Sequence, residues 1–509
     1  MDIVNVGSGL RVSIIVQMQT LPANVYSVAS VREIDRAAIE DHGIPGYTLM
    51  TRAGASALRA ARRRFPDARR WQVICGAGNN AGDGYVVARL AANDGIGVSV
   101  LGLVDPASLS GDAAVAYRDF VAEGGVVMPW AGELDGEAEL LVDAILGSGL
   151  ERDVVGKLAE AVLSMNAHGA NVLALDIPTG IHGDSGKVLG AAVTADLTVT
   201  FVGLKTGLFL DDATNFRGEL VYDGLDIPDV CRAAVSPAFR RIDDGLLQRV
   251  LPPRPRASHK GDFGHVLVIG GGNGMPGAAR LCGEAALRAG AGRVSIATAP
   301  AHAAILTATR PELMSHAVAV PADLEPLLAK ADVLAFGPGL GDSDWARALF
   351  KVVAADSRPA VWDADALNLL GQSPDHAELR IITPHPGEAG VLLGRSTADV
   401  QSDRIAAVRA LQARFAGVAV LKGAGTLIAA DPETPSMCTS GNPGMAAAGM
   451  GDVLTGIIAA LLAQGLTLEA AAMAGVEGHA RAGDIAASRG ERGLIASDLI
   501  AELRAVINP

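Results

Sequence analysis

Acidic residues that follow apolar runs are the side chains best placed for acid–base chemistry in this sequence. Asp143 ends an apolar run at residues 140–145, and Asp176 ends another at residues 172–177. Ligands of open α/β sheets bind at the carboxyl ends of the strands, where a buried carboxylate with a raised pKa is a natural general acid or base. The alternative for each residue is a helix N-cap or a loop hydrogen bond.

A third acidic residue, Asp452, belongs to the sequence Gly449-Met-Gly451-Asp452, which opens an apolar helix. A helix N-terminus holds an anion or a developing negative charge, and Asp452 at its mouth is suited to take a proton from a substrate hydroxyl. The alternative is a plain N-cap. Upstream, residues 422–426 follow a predicted strand and offer Lys422 and backbone N–H groups to a nucleotide. His385 lies in a Pro-rich loop at a strand end, although a lone histidine is more often structural.

Three glycine-rich loops that each follow a predicted strand are candidate phosphate or nucleotide cradles: residues 76–84, 272–277 and 337–341. Glycine allows close approach of the backbone, and a following helix N-terminus offers free N–H donors. Asp105 is placed where a ribose-binding acid would end the next strand. A tight structural turn explains each loop equally well. The first loop also carries the polar residues Asn79, Asn80 and Asp83, which suit a cation or sugar and amide groups.

The elements that must position these residues are short apolar runs alternating with alanine-rich stretches. Such a pattern predicts parallel strands buried on both faces, within doubly wound α/β units. The predicted strands of the first half are residues 72–75, 98–104, 140–145, 172–177 and 198–202. Those of the second half are residues 265–269, 293–298, 333–336, 360–362, 379–382, 418–421 and 426–429.

The segment 226–255 changes character and predicts a junction near residue 236, which divides the chain into domains 1–236 and 237–509. Residues 1–25 show no clear periodicity and are expected to form a flexible extension. A helix is expected to begin after Ser30, with Glu33 completing a capping box.

Composition restricts the partners of this chain. It has 509 residues, 50% of them hydrophobic, and a net charge of −14. An acidic chain is a poor match for nucleic acid, whose binding needs a basic surface. The four cysteines are scattered without a CxxC pair, and no apolar run reaches the length of a membrane span. We therefore expect a cytoplasmic protein with no nucleic-acid or membrane partner. Small-molecule substrates and a homo-oligomeric state are further expectations that composition does not decide.

Several of these segments, taken in order, resemble one known family. In the first half they are Asn79 to Gly84, Asp143 to Gly149 and Asp176 to Gly180. In the second half they are His259 to Gly264, Gly277 to Ala279, Leu287 to Gly292, Thr383 to Glu388, Asn442 to Met445 and Gly451-Asp452. As a set they resemble the bifunctional NAD(P)H-hydrate repair enzymes, which join an NAD(P)HX epimerase to an ADP-dependent NAD(P)HX dehydratase.

The resemblance implies a Rossmann-like epimerase domain followed by a ribokinase-like α/β dehydratase domain. It implies that the hydrated dinucleotide contacts Asn79, Asn80, Ala81, Gly82, Asp83, Gly147, Ser148, Gly149, Leu150, Glu151, Arg152 and Asp153. It also implies that Asn80, Asp143 and Thr179 ligate potassium, and that Asp176 is the acid or base at the inverting carbon. In the second domain it assigns ADP to Lys422, Gly423, Ala424, Gly425, Thr426 and Gly451. The hydrated nicotinamide would lie against Ala278, Ala279, Gly339, His385 and Asp452, and a magnesium ion is expected in this domain.

The chemistry implied for the second domain makes hydroxide a better leaving group. Asp452 would deprotonate the ring hydroxyl, which attacks the terminal phosphate of ADP, and the ring nitrogen then expels phosphate. Three departures from the family pattern are Ala81 for a glycine, Met450 for a threonine or serine, and Asp262 for a threonine. The change at Met450 puts nucleotide affinity in doubt rather than the reaction.

Three other functions are compatible with parts of the pattern. The second domain alone fits a small-molecule kinase, because ribokinase-like kinases also use Gly-x-Gly-Asp as the base. The first domain alone fits a non-catalytic binding module such as the apolipoprotein A-I binding protein or the decapping-enhancer proteins. An ordinary dehydrogenase that uses the loop at residues 76–84 is a weaker alternative.

Overall fold

The computed structural model describes residues 21–308 and 310–509, which are organised around two β-sheets. The strands up to residue 223 are β1 (Asn24–Tyr26), β2 (Arg70–Cys75), β3 (Gly97–Gly102), β4 (Val127–Pro129), β5 (Leu140–Ala144), β6 (Asn171–Leu175), β7 (Leu197–Phe201), β8 (Leu204–Lys205) and β9 (Glu219–Asp223). The later strands are β10 (Phe239–Arg241), β11 (His265–Ile269), β12 (Arg293–Thr298), β13 (Met314–Ala317), β14 (Val333–Phe336), β15 (Ala360–Trp362), β16 (Arg380–Ile382), β17 (Val418–Leu421), β18 (Thr426–Ala429) and β19 (Ser436–Cys438).

Helices connect most of these strands. Those up to residue 250 are α1 (Val28–Arg36), α2 (Gly46–Arg64), α3 (Asn79–Asn93), α4 (Gly111–Ala122), α5 (Gly156–Ala167), α6 (Ala213–Phe216), α7 (Asp229–Ala233) and α8 (Leu246–Val250). The later helices are α9 (Pro276–Arg288), α10 (Ala303–Leu306), α11 (Glu325–Leu328), α12 (Asp344–Ala354), α13 (Asp365–Gln372), α14 (Pro386–Leu393), α15 (Thr397–Ser402), α16 (Arg404–Phe415), α17 (Met450–Ala463), α18 (Leu468–Ala487) and α19 (Ala496–Val506).

The first sheet has seven parallel strands in the order β4-β3-β2-β5-β6-β7-β9. Strand order reverses between β2 and β5, which makes this the switch point where doubly wound sheets bind ligands. Strands β5 and β7 are buried along their whole length, because helices cover both faces of the sheet. The sheet therefore directs the loop after β2 and Asp143 of β5 to the same edge.

The second sheet repeats this order in its parallel part, β13-β12-β11-β14-β15-β16-β17. Its switch point lies between β11 and β14, and the glycine-rich loops at residues 270–274 and 337–341 follow these two strands. Strand β18 then pairs antiparallel with β17 and with β19. Beneath the sheet, α17 is buried almost all round and approaches α9 closely, since a Cβ on Gly456 would lie 2.1 Å from the carbonyl oxygen of Cys282.

Strands from before residue 236 complete the second sheet. Strand β10 pairs with β19, β1 pairs antiparallel with β10, and β8 pairs parallel with β1. The same junction contains an edge-to-face pair of Phe209 and Phe239, whose ring centroids are 6.1 Å apart. The domain boundary near residue 236 stays a prediction, but the sheet itself contains strands from both sides of it.

The predicted α/β fold class is confirmed, and the predicted strands agree with the observed ones except near their ends. The expected extension at residues 1–25 needs correction: residues 1–20 lie outside the described residues, whereas Asn24 and Val25 belong to β1. This short strand is ordered by partners distant in sequence. Among the described residues, no helix is long and apolar enough to cross a membrane.

Two other local predictions are wrong. Helix α1 begins at Val28, because Ser27 rather than Ser30 is the N-cap and accepts a hydrogen bond from the Ser30 N–H. Strand β3 ends at Gly102, and Asp105 caps the short helix Pro106–Ser108 through the N–H of Ala107. Asp105 is therefore explained by a local cap rather than by a ribose.

Candidate active sites

A cavity of about 620 Å³ lies at the switch point of the first sheet. Most of the residues predicted for the first site line it, namely Asn79, Asn80, Asp83, Gly147, Ser148, Gly149, Leu150, Glu151, Arg152, Asp153 and Asp176. Ala81 and Gly82 are buried in the first turn of α3, where a Cβ on Gly82 would lie 2.6 Å from the Met50 side chain. Their small size fits helix packing, and the cavity is formed by their neighbours.

Asp176 follows β6 and has a left-handed backbone conformation with φ of 65°. Its carboxylate accepts hydrogen bonds from the Lys205 ammonium and from the Ser148 N–H, the latter at 3.4 Å. Burial raises the pKa of Asp176, but the Lys205 ion pair and the Ser148 hydrogen bonds lower it further, so that it falls below its ordinary value. The expectation of a raised pKa is therefore wrong for Asp176, which is ionised at neutral pH.

Lys205 is one residue of this site that the sequence patterns did not single out. Its side chain is only 2% exposed and donates to the Thr200 hydroxyl at 3.0 Å and to the Phe201 carbonyl at 2.8 Å, besides Asp176. Three acceptors thus satisfy its three N–H groups. The sequence offered one indication of a buried ion pair here, a single lysine inside an apolar run, because lysine is almost never buried without a partner.

Asp143 and Thr179 form a buried, hydrogen-bonded cluster. The Thr179 hydroxyl donates to Asp143 at 2.7 Å, and the Thr179 N–H donates to the other carboxylate oxygen at 2.7 Å. Burial raises the pKa of Asp143 to about 6, against the hydrogen bonds from Thr179 and Ile145 that lower it. Gly147 links the cluster to Asn80, since a Cβ on Gly147 would lie 3.5 Å from that of Asn80.

One observation favours a cation beside this cluster. Within the described part of the chain, neither the amide oxygen nor the amide nitrogen of the buried Asn80 side chain has a hydrogen-bond partner. An unpartnered buried amide is costly unless a ligand satisfies it. Amide, carboxylate and hydroxyl oxygens are donors that hard cations prefer. Across residues 21–308 and 310–509, no group of three or more His, Cys, Asp or Glu side chains is arranged to hold a metal.

The second candidate site lies at the carboxyl ends of β15, β16 and β17, against the N-terminus of α17. Asp363, which follows β15, is 1% exposed and accepts from Lys422 at 2.6 Å and from the Thr455 hydroxyl at 2.9 Å. Glu388 lies 3.7 Å from the same ammonium. Burial raises the pKa of Asp363, but the Lys422 charge and hydrogen bond lower it more, and it stays below its ordinary value. The sequence reasoning did not single out Asp363.

Asp452 lies in the first turn of α17, where Gly449 rather than Asp452 is the N-cap. Burial and the charge of Asp363 raise the pKa of Asp452 to about 7, although Lys422 lowers it. A group with this pKa can both accept and release a proton near neutral pH. Gly451 adjoins the ion pair, since a Cβ atom added at this glycine would lie 3.4 Å from the Lys422 ammonium.

The remaining residues predicted for this site differ in depth, and their place around one ligand stays a prediction. A Cβ on Gly339 would lie 3.0 Å from that of Ala278, whereas Ala279 is fully buried. His385 caps α14 by accepting from the Gly387 N–H, and its side chain is 56% exposed beside Glu388.

Arg404 fixes the loop at residues 422–426 through hydrogen bonds. This buried guanidinium donates to the carbonyls of Ala424 and Lys422. Gly423 and Gly425 both have positive φ, and the Thr426 hydroxyl donates to the Gly423 carbonyl at 3.0 Å. The loop is therefore a pre-formed turn beside α17, and its contact with a nucleotide stays a prediction.

Comparisons with known proteins match both halves of the chain. The family described as NAD(P)H-hydrate dehydratase matches residues 266–505, and the family described as YjeF-related protein N-terminus matches residues 46–207. The bifunctional NAD(P)H-hydrate repair enzyme Nnr of Coxiella burnetii is 48% identical over 95% of this chain and 99% of its own. The protein of the same name from Escherichia coli (strain K12) is 43% identical over 96% of this chain and 95% of its own.

Among solved structures, hypothetic protein SMU.573 from Streptococcus mutans is similar to this chain, with a TM-score of 0.50 and 32% sequence identity. The similarity covers 53% of this chain and 98% of that protein.

Replacing Lys205 by methionine should lower the free energy of unfolding by about 3–5 kcal/mol at pH 7, because the buried Asp176 carboxylate loses its counter-ion. The added substitution Asp176→Asn should recover part of this loss. Because the folded pKa of Asp176 is depressed, its stabilising contribution is present above about pH 4 and is lost as the pH falls through the folded pKa.

Urea unfolding of the unmodified protein, the Lys205→Met variant and the double variant would measure these differences in the free energy of unfolding. The matched control is Lys187→Met, at an exposed lysine, which should change the free energy by less than about 0.5 kcal/mol. Equal stability of the Lys205→Met and Lys187→Met proteins would show that the ion pair does not hold the first site together.

Proposed function

Because the chain belongs to the family of bifunctional NAD(P)H-hydrate repair enzymes, we propose that it restores hydrated NADH and NADPH in two steps. The first site epimerises R- and S-NAD(P)HX, and the second dehydrates S-NAD(P)HX with ADP, which gives AMP and phosphate. The resemblance inferred from the sequence motifs is confirmed by the family matches. The single observation that carries the proposal is that an ion-paired aspartate lies beyond the carboxyl end of a parallel strand in each sheet, Asp176 with Lys205 and Asp363 with Lys422.

In the first site, the hydrated dinucleotide would occupy the cavity along residues 147–153 and the N-terminus of α3. The first N–H groups of that helix are free of intrahelical partners and favour the negative diphosphate. Asp176 would act as acid or base at the hydroxyl-bearing carbon. Its ion pair with Lys205 supports the base role, since it keeps the carboxylate ionised.

In the second site, Asp452 would take the proton of the ring hydroxyl. The hydroxyl oxygen then bonds to the terminal phosphorus of ADP, and the bond from that phosphorus to AMP breaks. The N-terminus of α17 favours the negative charge that develops there. The ring nitrogen lone pair expels phosphate, and loss of a proton from the neighbouring ring carbon restores the double bond of NADH. The pKa of Asp452 near 7 suits the first of these steps.

Three ligands complete the proposal. ADP would bind at residues 422–426 and Gly451, with Ala278, Ala279, Gly339 and His385 around the nicotinamide. Potassium would bind to Asn80, Asp143 and Thr179, where its charge would favour the ionised form of Asp143. Magnesium would enter with the phosphates of ADP, since it is usually bound through few carboxylates together with substrate phosphates.

The cellular compartment and the oligomeric state of the protein are also part of the proposal. We place it in the cytoplasm as a homo-oligomer. The cysteines Cys75, Cys231, Cys282 and Cys438 are all free and buried, which is compatible with a reducing compartment.

The decisive experiment follows the return of NADH absorbance from a mixture of both NADHX epimers, with ADP, with ATP or without nucleotide. We expect complete conversion with ADP. Conversion that stops when the S epimer is consumed would leave only the dehydratase and make the first domain a binding module. No conversion with either nucleotide would contradict the proposal and favour a kinase acting on a stable alcohol.

The variant Asp452→Asn should lower the rate of NADH return by about 10²–10⁴-fold, because the amide cannot accept the hydroxyl proton. The rate of epimerisation should stay unchanged. It is measured without ADP, by chromatographic separation of the two epimers. In the unmodified protein the dehydration rate should rise as the pH rises through about 7, since the base must be deprotonated. A pH-independent rate between pH 6 and 8 would remove Asp452 from this role.

Potassium should raise the melting temperature of the protein, whereas lithium at equal ionic strength should have a smaller effect. Asn80→Ala should abolish the difference, because the unpartnered amide is removed. Differential scanning calorimetry in the two salts measures this difference in melting temperature without any substrate. A difference that persists in Asn80→Ala would place the ion elsewhere.

A further inference from the structure

Helix α1 places two charged residues on the wall of the first cavity that the proposed reaction leaves unused. Arg32 and Asp35 are three residues apart, which puts them on the same face of the helix, and both line the cavity beside Asp176. The helix is anchored on its other side by Ile34, which is fully buried, and at its start by a 2.7 Å hydrogen bond from the Val28 N–H to Asp184. The position of Asp35 is therefore fixed by the fold.

Helix α1 also contacts the loop that is expected to hold the substrate. A Cβ on Gly149 would lie 3.1 Å from the Arg32 guanidinium, so the helix lies directly against residues 147–153. Among the described residues, no side chain or backbone group hydrogen-bonds the Asp35 carboxyl group. Asp35 is therefore available to a ligand that enters between α1 and this loop.

The carboxyl groups of the cavity differ in charge state. Asp176 is held ionised by Lys205, whereas burial raises the pKa of Asp35 to about 6, with Lys205 lowering it and Asp176 raising it. Burial and the charges of Asp176 and Asp35 raise the pKa of Asp83 well above its ordinary value. With a pKa of about 6, Asp35 can both give and take a proton near neutral pH.

We propose that Asp35 is the second catalytic carboxyl group of epimerisation, which exchanges a proton with the substrate in concert with Asp176. The two groups come from different walls of one cavity, α1 and the carboxyl end of β6, as inversion of a carbon through both of its faces requires. This assignment rests on the proposed function of the first site and adds a residue to it.

The reaction step balances with these two groups alone. The hydroxyl-bearing ring carbon is bonded to the ring nitrogen, so the nitrogen lone pair can form a C=N double bond while the C–O bond breaks. Asp35 gives its proton to the departing oxygen, which leaves as water. A water molecule then adds from the other face, the C=N electrons return to nitrogen, and Asp176 takes the proton released. Transfer of one proton from Asp176 back to Asp35 restores the starting state, and the Lys205 charge favours this direction.

Several charged groups face Asp35 and shape its titration. They are Lys205 on β8, Asp176 after β6, Asp83 on α3 and Arg32 on α1 itself, with Asp112, Glu151, Arg152 and Asp153 elsewhere on the cavity wall. Lys205 favours the ionised carboxylate, while the nearby acidic groups oppose it.

The test compares Asp35→Asn with the unmodified protein, with ADP omitted so that only epimerisation is observed. Starting from pure R-NADHX, we expect the variant to epimerise about 10²–10⁴-fold more slowly. Dehydration of S-NADHX with ADP should be unchanged in the same protein, which verifies its fold. Asp35→Glu should restore part of the rate. The matched control is Glu33→Gln, an exposed carboxyl group on the same helix, which should epimerise normally.

Two further readouts separate catalysis from a structural role. The epimerisation rate of the unmodified protein should fall as the pH rises through about 6, because Asp35 must be protonated, and this limb should vanish in Asp35→Asn. In ¹⁸O-labelled water each inversion should place one ¹⁸O in the product, as mass spectrometry would detect.

The outcomes separate the two levels of inference. An inactive unmodified protein would contradict the proposed function of the first site. An active unmodified protein with normal epimerisation in Asp35→Asn, or inversion without ¹⁸O incorporation, would overturn the role of Asp35 while leaving the proposed function in place.

Discussion

Both sites depend on a lysine ammonium, buried in the first site and half-buried in the second, that is paired with an aspartate beyond the carboxyl end of a parallel strand. Lys205 pairs with Asp176 in the first site, and Lys422 pairs with Asp363 in the second. Removing two charges from water is costly, so such pairs persist only where further hydrogen bonds complete their coordination. Thr200 and the Phe201 carbonyl do this for Lys205, and Thr455 does it for Asp363. Each pair therefore fixes the loops around it.

The ion pairs also divide the acidic residues between two roles. Asp176 and Asp363 have lowered pKa values because each is next to its lysine. Asp452 and Asp35 lie farther from the ammonium groups, where burial dominates, and their pKa values rise to about 7 and about 6. Neighbouring carboxyl groups with separated pKa values are what acid–base catalysis requires. A lysine–aspartate ion pair beside a carboxyl group of raised pKa thus occurs in both sites of the chain.

The first site is attached to the second sheet by the strand that carries its lysine. Strand β8, which contains Lys205, is the edge strand beyond β1, β10 and β19. The segment after it reaches the loop proposed for ADP, since a Cβ on Gly425 would lie 3.3 Å from the Phe209 carbonyl oxygen. The packing of Phe209 on Phe239 adds apolar contact at the same junction. The two halves are therefore structurally continuous, although their sequences read as two separate α/β units.

The sequence by itself determined the α/β class, most strand positions and the motif residues of both sites, because buried parallel strands and glycine-rich turns leave local patterns. Asp143, Asp176 and Asp452 could be singled out for the same reason, since each lies at the end of such a pattern. Only the tertiary structure decided that Asp35, Lys205 and Asp363 belong to the sites, that β1 joins a sheet formed largely by the second half, and which carboxylates are ionised. These properties arise from contacts between residues far apart in sequence and from the low dielectric of the interior they create, neither of which a local pattern records.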